Sequence, residues 1–128
     1  MKAKIVDHRK RAVYATIPFV YPSWNKIQAM HWCRRKKHHD IFIREAGTIL
    51  YALQAKPFTT PVKIMIDLNF KNKRTRDVDN YGGKWLIDAI RKVGLIPDDS
   101  SEWVPHGPDV MIVDGQRENK IILKIEEL

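Results

Sequence analysis

Val62-Lys63-Ile64-Met65-Ile66-Asp67-Leu68-Asn69-Phe70 is the stretch that decides the fold. Val62, Ile64, Ile66, Leu68 and Phe70 alternate with Lys63, Met65, Asp67 and Asn69. A strand turns successive side chains to opposite faces, so the pattern predicts a half-buried β-strand with one apolar face against a core. Downstream, Leu86, Ala89, Ile90 and Val93 fall on one face of a helix predicted from about Tyr81 to Val93. Gly94 suits its C-terminal cap and Pro97 lies just beyond. Val110–Asp114 and Lys120–Ile125 flank Gly115–Asn119 and predict a C-terminal hairpin. Upstream, Phe42, Ala46, Ile49, Leu50 and Leu53 recur at helical spacing from Asp40, and Pro57 ends that helix. Trp24–His39 has mixed periodicity and reads as only weakly helical, with Ser23 available as a cap. Lys4–Val6 and Val13–Ile17, separated by the basic turn Asp7–Arg11, predict a further hairpin before Pro18 and Pro22 interrupt the chain. The expected architecture is an α/β (α+β) domain: a small mixed or mainly antiparallel sheet with two main helices.

A chain of 128 residues holds one hydrophobic core, so a single domain over 1–128 is expected. Hydrophobic residues at 44% and charged residues at 30% exclude a disordered chain. No apolar run is long enough to span a bilayer, and the first residues lack the apolar stretch of a secretory signal. The one cysteine, Cys33, has no partner for an internal disulfide, and the expected location is cytoplasmic. The net charge of +8 favours a polyanionic partner. Basic residues cluster as Arg34-Arg35-Lys36-Lys37, and again as Lys71, Lys73, Arg74 and Arg76. Either cluster on its own is equally well a solvated face. The second, however, runs directly into a pair of aspartates.

That segment is Arg74-Thr75-Arg76-Asp77-Val78-Asp79-Asn80, followed by the predicted helix and then Pro97-Asp98-Asp99. If Asp77 and Asp79 are extended, their carboxylates point the same way. Two such groups repel unless a cation sits between them. Hard oxygen donors suit Mg²⁺ or Mn²⁺, which share their remaining positions with water and phosphate oxygens. Such an ion activates water and polarises a phosphoryl group, the chemistry of phosphodiester hydrolysis. Standing alone the Asp-x-Asp pair would be weak, because Asp79 or Asn80 would equally serve as a helix cap.

The ordered set Arg76-Asp77-Val78-Asp79-Asn80, Lys84, Asp88-Ala89-Ile90, Gly94 and Asp98-Asp99-Ser100 resembles the RusA family of Holliday junction resolvases. Ile17-Pro18 and Pro22-Ser23-Trp24-Asn25 are similar to that family's opening Pro-Ser-x-Asn turn. The likeness covers about residues 15–125, with its specific part at Arg74–Ser100. The resemblance implies a homodimeric, Mg²⁺-dependent endonuclease that makes paired nicks in four-way DNA junctions during recombination and repair. It further implies that Asp77, Asp79 and Asp99 bind the metal and that Lys84 stabilises charge on the phosphate or leaving oxygen. One departure stands out. The family pattern has two residues between the Asn and the Lys, whereas Tyr81-Gly82-Gly83 supplies three.

Chain geometry adds an expectation. A helix over 81–93 carries the chain about 20 Å away from Asp77 and Asp79, and Gly94–Asp99 returns at most about 20 Å. A single chain barely closes such a site, so an antiparallel dimer lending Asp99 across its interface is expected. The remaining DNA contacts are expected from Arg34, Arg35, Lys36, Lys37, Lys73, Arg74, Arg76 and Asn80, acting on the phosphate backbone. Trp32, beside the first basic run, is the aromatic best placed to stack on an unpaired base. Lys84 and Asp88, four apart, equally form a plain solvent ion pair. His31, Cys33, His38 and His39 match zinc-site spacing poorly. A non-catalytic DNA-binding protein on the same scaffold, or a nuclease for flaps or forks, are the alternatives.

Overall fold

The computed structural model describes residues 10–128. Four strands, β1 (Ala12–Ile17), β2 (Val62–Asn69), β3 (Pro108–Val113) and β4 (Lys120–Glu127), form one mixed sheet in the order β1-β4-β2-β3. Three helices, α1 (Trp24–Ala29), α2 (Trp32–Ala52) and α3 (Lys84–Lys92), accompany it, and α2 and α3 are the two main ones. The mixed sheet with two main helices is the architecture that the alternation in β2 and the apolar stripes predict. The expected hairpin with Lys4–Val6 lies outside the described residues.

The β2 alternation becomes the core. Val62, Ile64, Ile66 and Leu68 are fully buried, as are Ile121, Leu123 and Ile125 of β4. Register sets these in rows: Val13, Ile125 and Ile64 align, then Ala15, Leu123 and Ile66, then Ile17, Ile121 and Leu68. Leu86, Ala89 and Ile90 of α3 and Phe42, Ala46 and Leu50 of α2 belong to the same core cluster. Each fully buried aliphatic side chain contributes on the order of 1.5–3 kcal/mol.

The C-terminal hairpin is corrected. β3 and β4 do not pair; β2 lies between them, parallel to β3 and antiparallel to β4. The reason is burial. β4 offers three fully buried aliphatic residues and takes a central place, whereas β3 has no fully buried residue, exposes Met111, and takes the edge. The 114–119 loop crosses the end of β2, where Gln116 N–H donates to Phe70 O and Lys71 N–H donates to Asn119 Oδ1.

The weak helical signal over Trp24–His39 resolves into α1, capped by Ser23, and the first turns of α2, while both main helices start elsewhere than expected. α2 begins at Trp32, eight residues before Asp40, capped by His31, whose Nδ1 accepts from Cys33 N–H at 3.3 Å. Arg and Lys are good helix formers, but an exposed turn carries no apolar stripe to betray it. α3 begins at Lys84 rather than Tyr81 because Gly83, at φ +85°, closes the preceding turn in the left-handed region.

Candidate functional site at the start of helix α3

Between β2 and α3 the chain makes an open loop and one 3-10 turn, Val78–Asn80. Asp77 is extended and caps this turn: its Oδ1 accepts from Asp79 N–H at 3.1 Å. Asp79 sits inside the turn, so the two side chains do not follow strand alternation, and the premise that both extend is corrected. Asn80 does not cap α3. Its Oδ1 accepts from Asn25 N–H at 2.9 Å, tying the Pro22–Asn25 turn to the aspartate turn across 55 residues. Tyr21 reinforces the same junction, its hydroxyl donating to Tyr81 O at 2.9 Å. Burial holds the Tyr21 phenol well above its ordinary pKa, so it remains a donor.

Tyr81-Gly82-Gly83 stands ahead of the helix, and Lys84 is its first residue. Its Nζ donates to Asp99 Oδ2 at 2.7 Å and to Asp88 Oδ1 at 3.0 Å. Asp99 N–H in turn donates to Asp98 Oδ1 at 2.8 Å. The chain therefore does return to the start of its own helix, and the expected reach limit is corrected. A helix of nine residues advances only about 13 Å, which the following loop spans comfortably. Leu95 and Ile96, buried in the core, hold that return path in place. Sharing Asp99 between two subunits is thus not required by chain length.

Asp79 and Lys84 line one cleft of about 290 Å³, together with Gly82, Gly83, Tyr21, Pro22, Trp24, Ile27 and Trp85. Asp99 is joined to it through the Lys84 ammonium. Among the described residues, no three acidic, His or Cys side chains stand at metal-holding spacing, neither the three aspartates nor the His31–His39 group. The donor chemistry of Asp77, Asp79 and Asp99 fits a hard divalent ion. Asp99 is engaged by the Lys84 ammonium at 2.7 Å.

The Lys84 ammonium holds the Asp99 carboxyl below its usual range, and Asp99 first, then Asp88, holds Lys84 above its own. Asp99 is depressed when folded, so its contribution to stability is complete above about pH 4 and fades as pH falls through the folded value. Lys84 is raised, so its contribution is complete below about pH 10 and fades as pH rises through the folded value. The pair faces solvent and its effect is small. Asp99→Asn is expected to flatten the acid limb of stability below about pH 4, followed by urea unfolding at stepped pH. An acid limb identical to wild type would mean that the pair does not form in solution.

The expected DNA contacts divide. Lys73 and Arg74 are exposed in the loop before Asp77. Arg34–Lys37 lie within α2, so a helix step of about 100° sends them to different faces. Arg34 and Lys37 are exposed. Arg35 is half-buried with its guanidinium near Met30 O, and Lys36 pairs with Asp40 at 2.7 Å. Trp32 is 67% exposed at the start of the same helix. Arg76 is otherwise placed: its buried guanidinium pairs with Asp114, donates to Asn72 O and lies 3.8 Å over the Phe70 ring. It joins the aspartate loop to the loop after β3 and is not free for phosphate. Arg76→Ala is expected to lower stability by about 1–3 kcal/mol, since it leaves Asp114 unpaired and Phe70 uncovered. The check is a lower urea midpoint than wild type; an unchanged midpoint would mean that the guanidinium contributes nothing to the fold through Asp114 and Phe70.

Asp88, part of the resemblance and equally readable as a solvent partner of Lys84, is buried at 8% exposure, and His39 of α2, which the sequence did not mark as its partner, meets its Oδ2 at 2.9 Å. The Lys84/Asp88 spacing marked half of that arrangement; the other half depends on how α2 packs on α3. No protein-family model and no curated protein sequence matches this chain. Among the described residues, no helix is long and apolar enough to cross a membrane.

Proposed function

We propose that this chain is a Mg²⁺-dependent endonuclease for branched DNA, resolving Holliday junctions by paired nicks in recombination and repair, as its resemblance to the RusA family implies. The observation that carries the reading is convergence. The separate stretches that bear the resemblance (the Pro22–Asn25 turn, Asp77–Asn80, Lys84–Asp88 and Asp98–Asp99) meet at one corner: Asn25–Asn80 and Lys84–Asp99 join them in pairs, and Pro22, Trp24, Asp79 and Lys84 line one cleft. Asp77, Asp79 and Asp99 would hold Mg²⁺, or Mn²⁺ in its place, and that ion supplies an activated water and charge stabilisation at the phosphate. Lys84, 65% exposed at its side chain, presents its ammonium to the scissile phosphate or the departing oxygen. Lys73, Arg74, Arg34 and Lys37 hold the backbone of the DNA near the cleft. A homodimer would set two such corners on one junction, one for each nick.

A second reading has its own observation. Lys84 already pairs with Asp99 at 2.7 Å, which balances that carboxylate's charge without a cation. This favours a non-catalytic DNA-binding protein on the same scaffold. Incubation of a labelled four-way junction with Mg²⁺ separates the two, with linear duplex, flap and fork as parallel substrates and EDTA as control. Symmetrical nicks confined to the junction support resolution. Cutting of flaps or forks in preference would reassign the substrate. Binding without cutting in Mg²⁺ or Mn²⁺ would leave a binding scaffold.

A further inference from the structure

Asp88 and Asn69 are the two buried polar or charged residues among those described, and only Asp88 carries a charge. A carboxylate out of water is costly unless both oxygens are satisfied. Here they are divided between two elements. Oδ1 takes the Lys84 ammonium at 3.0 Å, and Oδ2 faces His39 Nε2 at 2.9 Å from α2. Arg91 stands further off, 3.8 Å from Oδ1. The terminal torsion of an aspartate is broad and roughly two-fold. Without His39, nothing among the described residues holds Oδ2, and the carboxylate is free to swing toward Arg91.

Lys84 needs this restraint. Its ammonium is carried on a flexible four-carbon stem, and one salt bridge fixes such a charge poorly. Two carboxylates from different segments, Asp88 on the helix and Asp99 after it, define its place. His39 is itself well oriented. Its ring lies edge-on to Trp85 with centroids 5.3 Å apart, and its Nδ1 is 3.3 Å from Asp40 Oδ1. Trp85 also lines the cleft that holds Asp79 and Lys84. His39, Asp40, Asp88 and Arg91 all border the groove between α2 and α3.

We propose that His39 is a positioning residue for Lys84: it holds one oxygen of Asp88 from α2, so that the other oxygen and Asp99 fix the ammonium beside Asp79. The consequence for turnover rests on the endonuclease reading; the chain of contacts does not. It also ties the reacting corner to the helix that carries Arg34 and Lys37 just before His39.

Two measurements on the full chain test it. The first is nitrogen-15 NMR of the His39 ring without metal. Nε2 is expected to carry the proton, and its signal is expected to shift in both Asp88→Asn and Lys84→Met. A ring signal unmoved by Lys84→Met would overturn the coupling. The second is junction cleavage in Mg²⁺. His39→Leu is expected to lower kcat roughly 10- to 100-fold, the scale of misplacing a group that stabilises transition-state charge, with KM within about twofold. His39→Gln, which returns an N–H near the same position, is expected to recover most of the rate. Should His39→Leu not fold, His39→Asn, too short to reach Asp88, takes its place. A variant lacking the donor that turns over at the wild-type rate would overturn the proposal. Absence of cleavage by the wild type would instead remove the endonuclease reading, and the NMR coupling would then decide the network alone.

Discussion

On the endonuclease function proposed above, Asp79→Asn is expected to reduce Mg²⁺-dependent junction cleavage by about 100- to 1,000-fold while junction affinity stays within about threefold of wild type. The loss corresponds to roughly 3–4 kcal/mol of transition-state stabilisation, the scale of removing one electrostatic group from a preorganised site. Asn keeps the shape of Asp but loses the charge that a hard cation requires and turns one oxygen donor atom into an NH2 group. The substitution is structurally mild. Asp79 is exposed, and what it gives to the fold is its backbone N–H on Asp77, which Asn retains. Removing a negative charge from a chain of net +8 also does not weaken attraction to DNA. Single-turnover cleavage and gel-shift binding, run side by side, give both quantities. Cleavage by Asp79→Asn at the wild-type rate would remove Asp79 from the metal set. A parallel loss of binding and cleavage would make it a DNA contact instead.

Gly83→Ala is expected to destabilise the fold by about 2–4 kcal/mol, whatever the chain does with DNA. Two costs add. Gly83 has φ +85°, in the left-handed region that side chains other than glycine rarely enter. A Cβ there would also meet Ile66 Cδ1 at 2.8 Å and Tyr21 Oη at 3.3 Å. Ile66 is fully buried in the central strand, and Tyr21 is engaged by Tyr81 O, so neither yields freely. Gly82, next to it, has open space where a methyl group would stand and a φ outside the left-handed region. Gly82→Ala is therefore the internal control and is expected to be near neutral. Thermal and urea unfolding of the two variants measure the difference. Equal stability of the two would show that the 81–83 segment relaxes around the added carbon. Gly83 makes the turn that lets α3 begin at Lys84.

Much of the architecture was legible in local pattern. Alternation over Val62–Phe70 identified the central strand and its buried face, and the Leu86/Ala89/Ile90 stripe identified α3 as a core helix. Asp77, Asp79, Lys84 and Asp99 were legible as a set of residue types, and the structure brings Lys84 to Asp99 and to the cleft of Asp79. The start of α2 was only weakly legible, since Trp32–His39 is helical without an apolar face. The place of Arg76 was not legible, because its charge reads the same whether it faces phosphate or lies over Phe70.

Periodicity reports which face of an element is buried, because that depends only on the spacing of side chains along one backbone. It does not report against which neighbour that face is buried. The insertion of β4 between β1 and β2, the return of Asp99 to Lys84 and the grip of His39 on Asp88 join residues far apart in the chain. Those were decided by packing: the most apolar strands take the sheet centre, and a buried carboxylate takes the partners that the adjoining helix brings within hydrogen-bond reach.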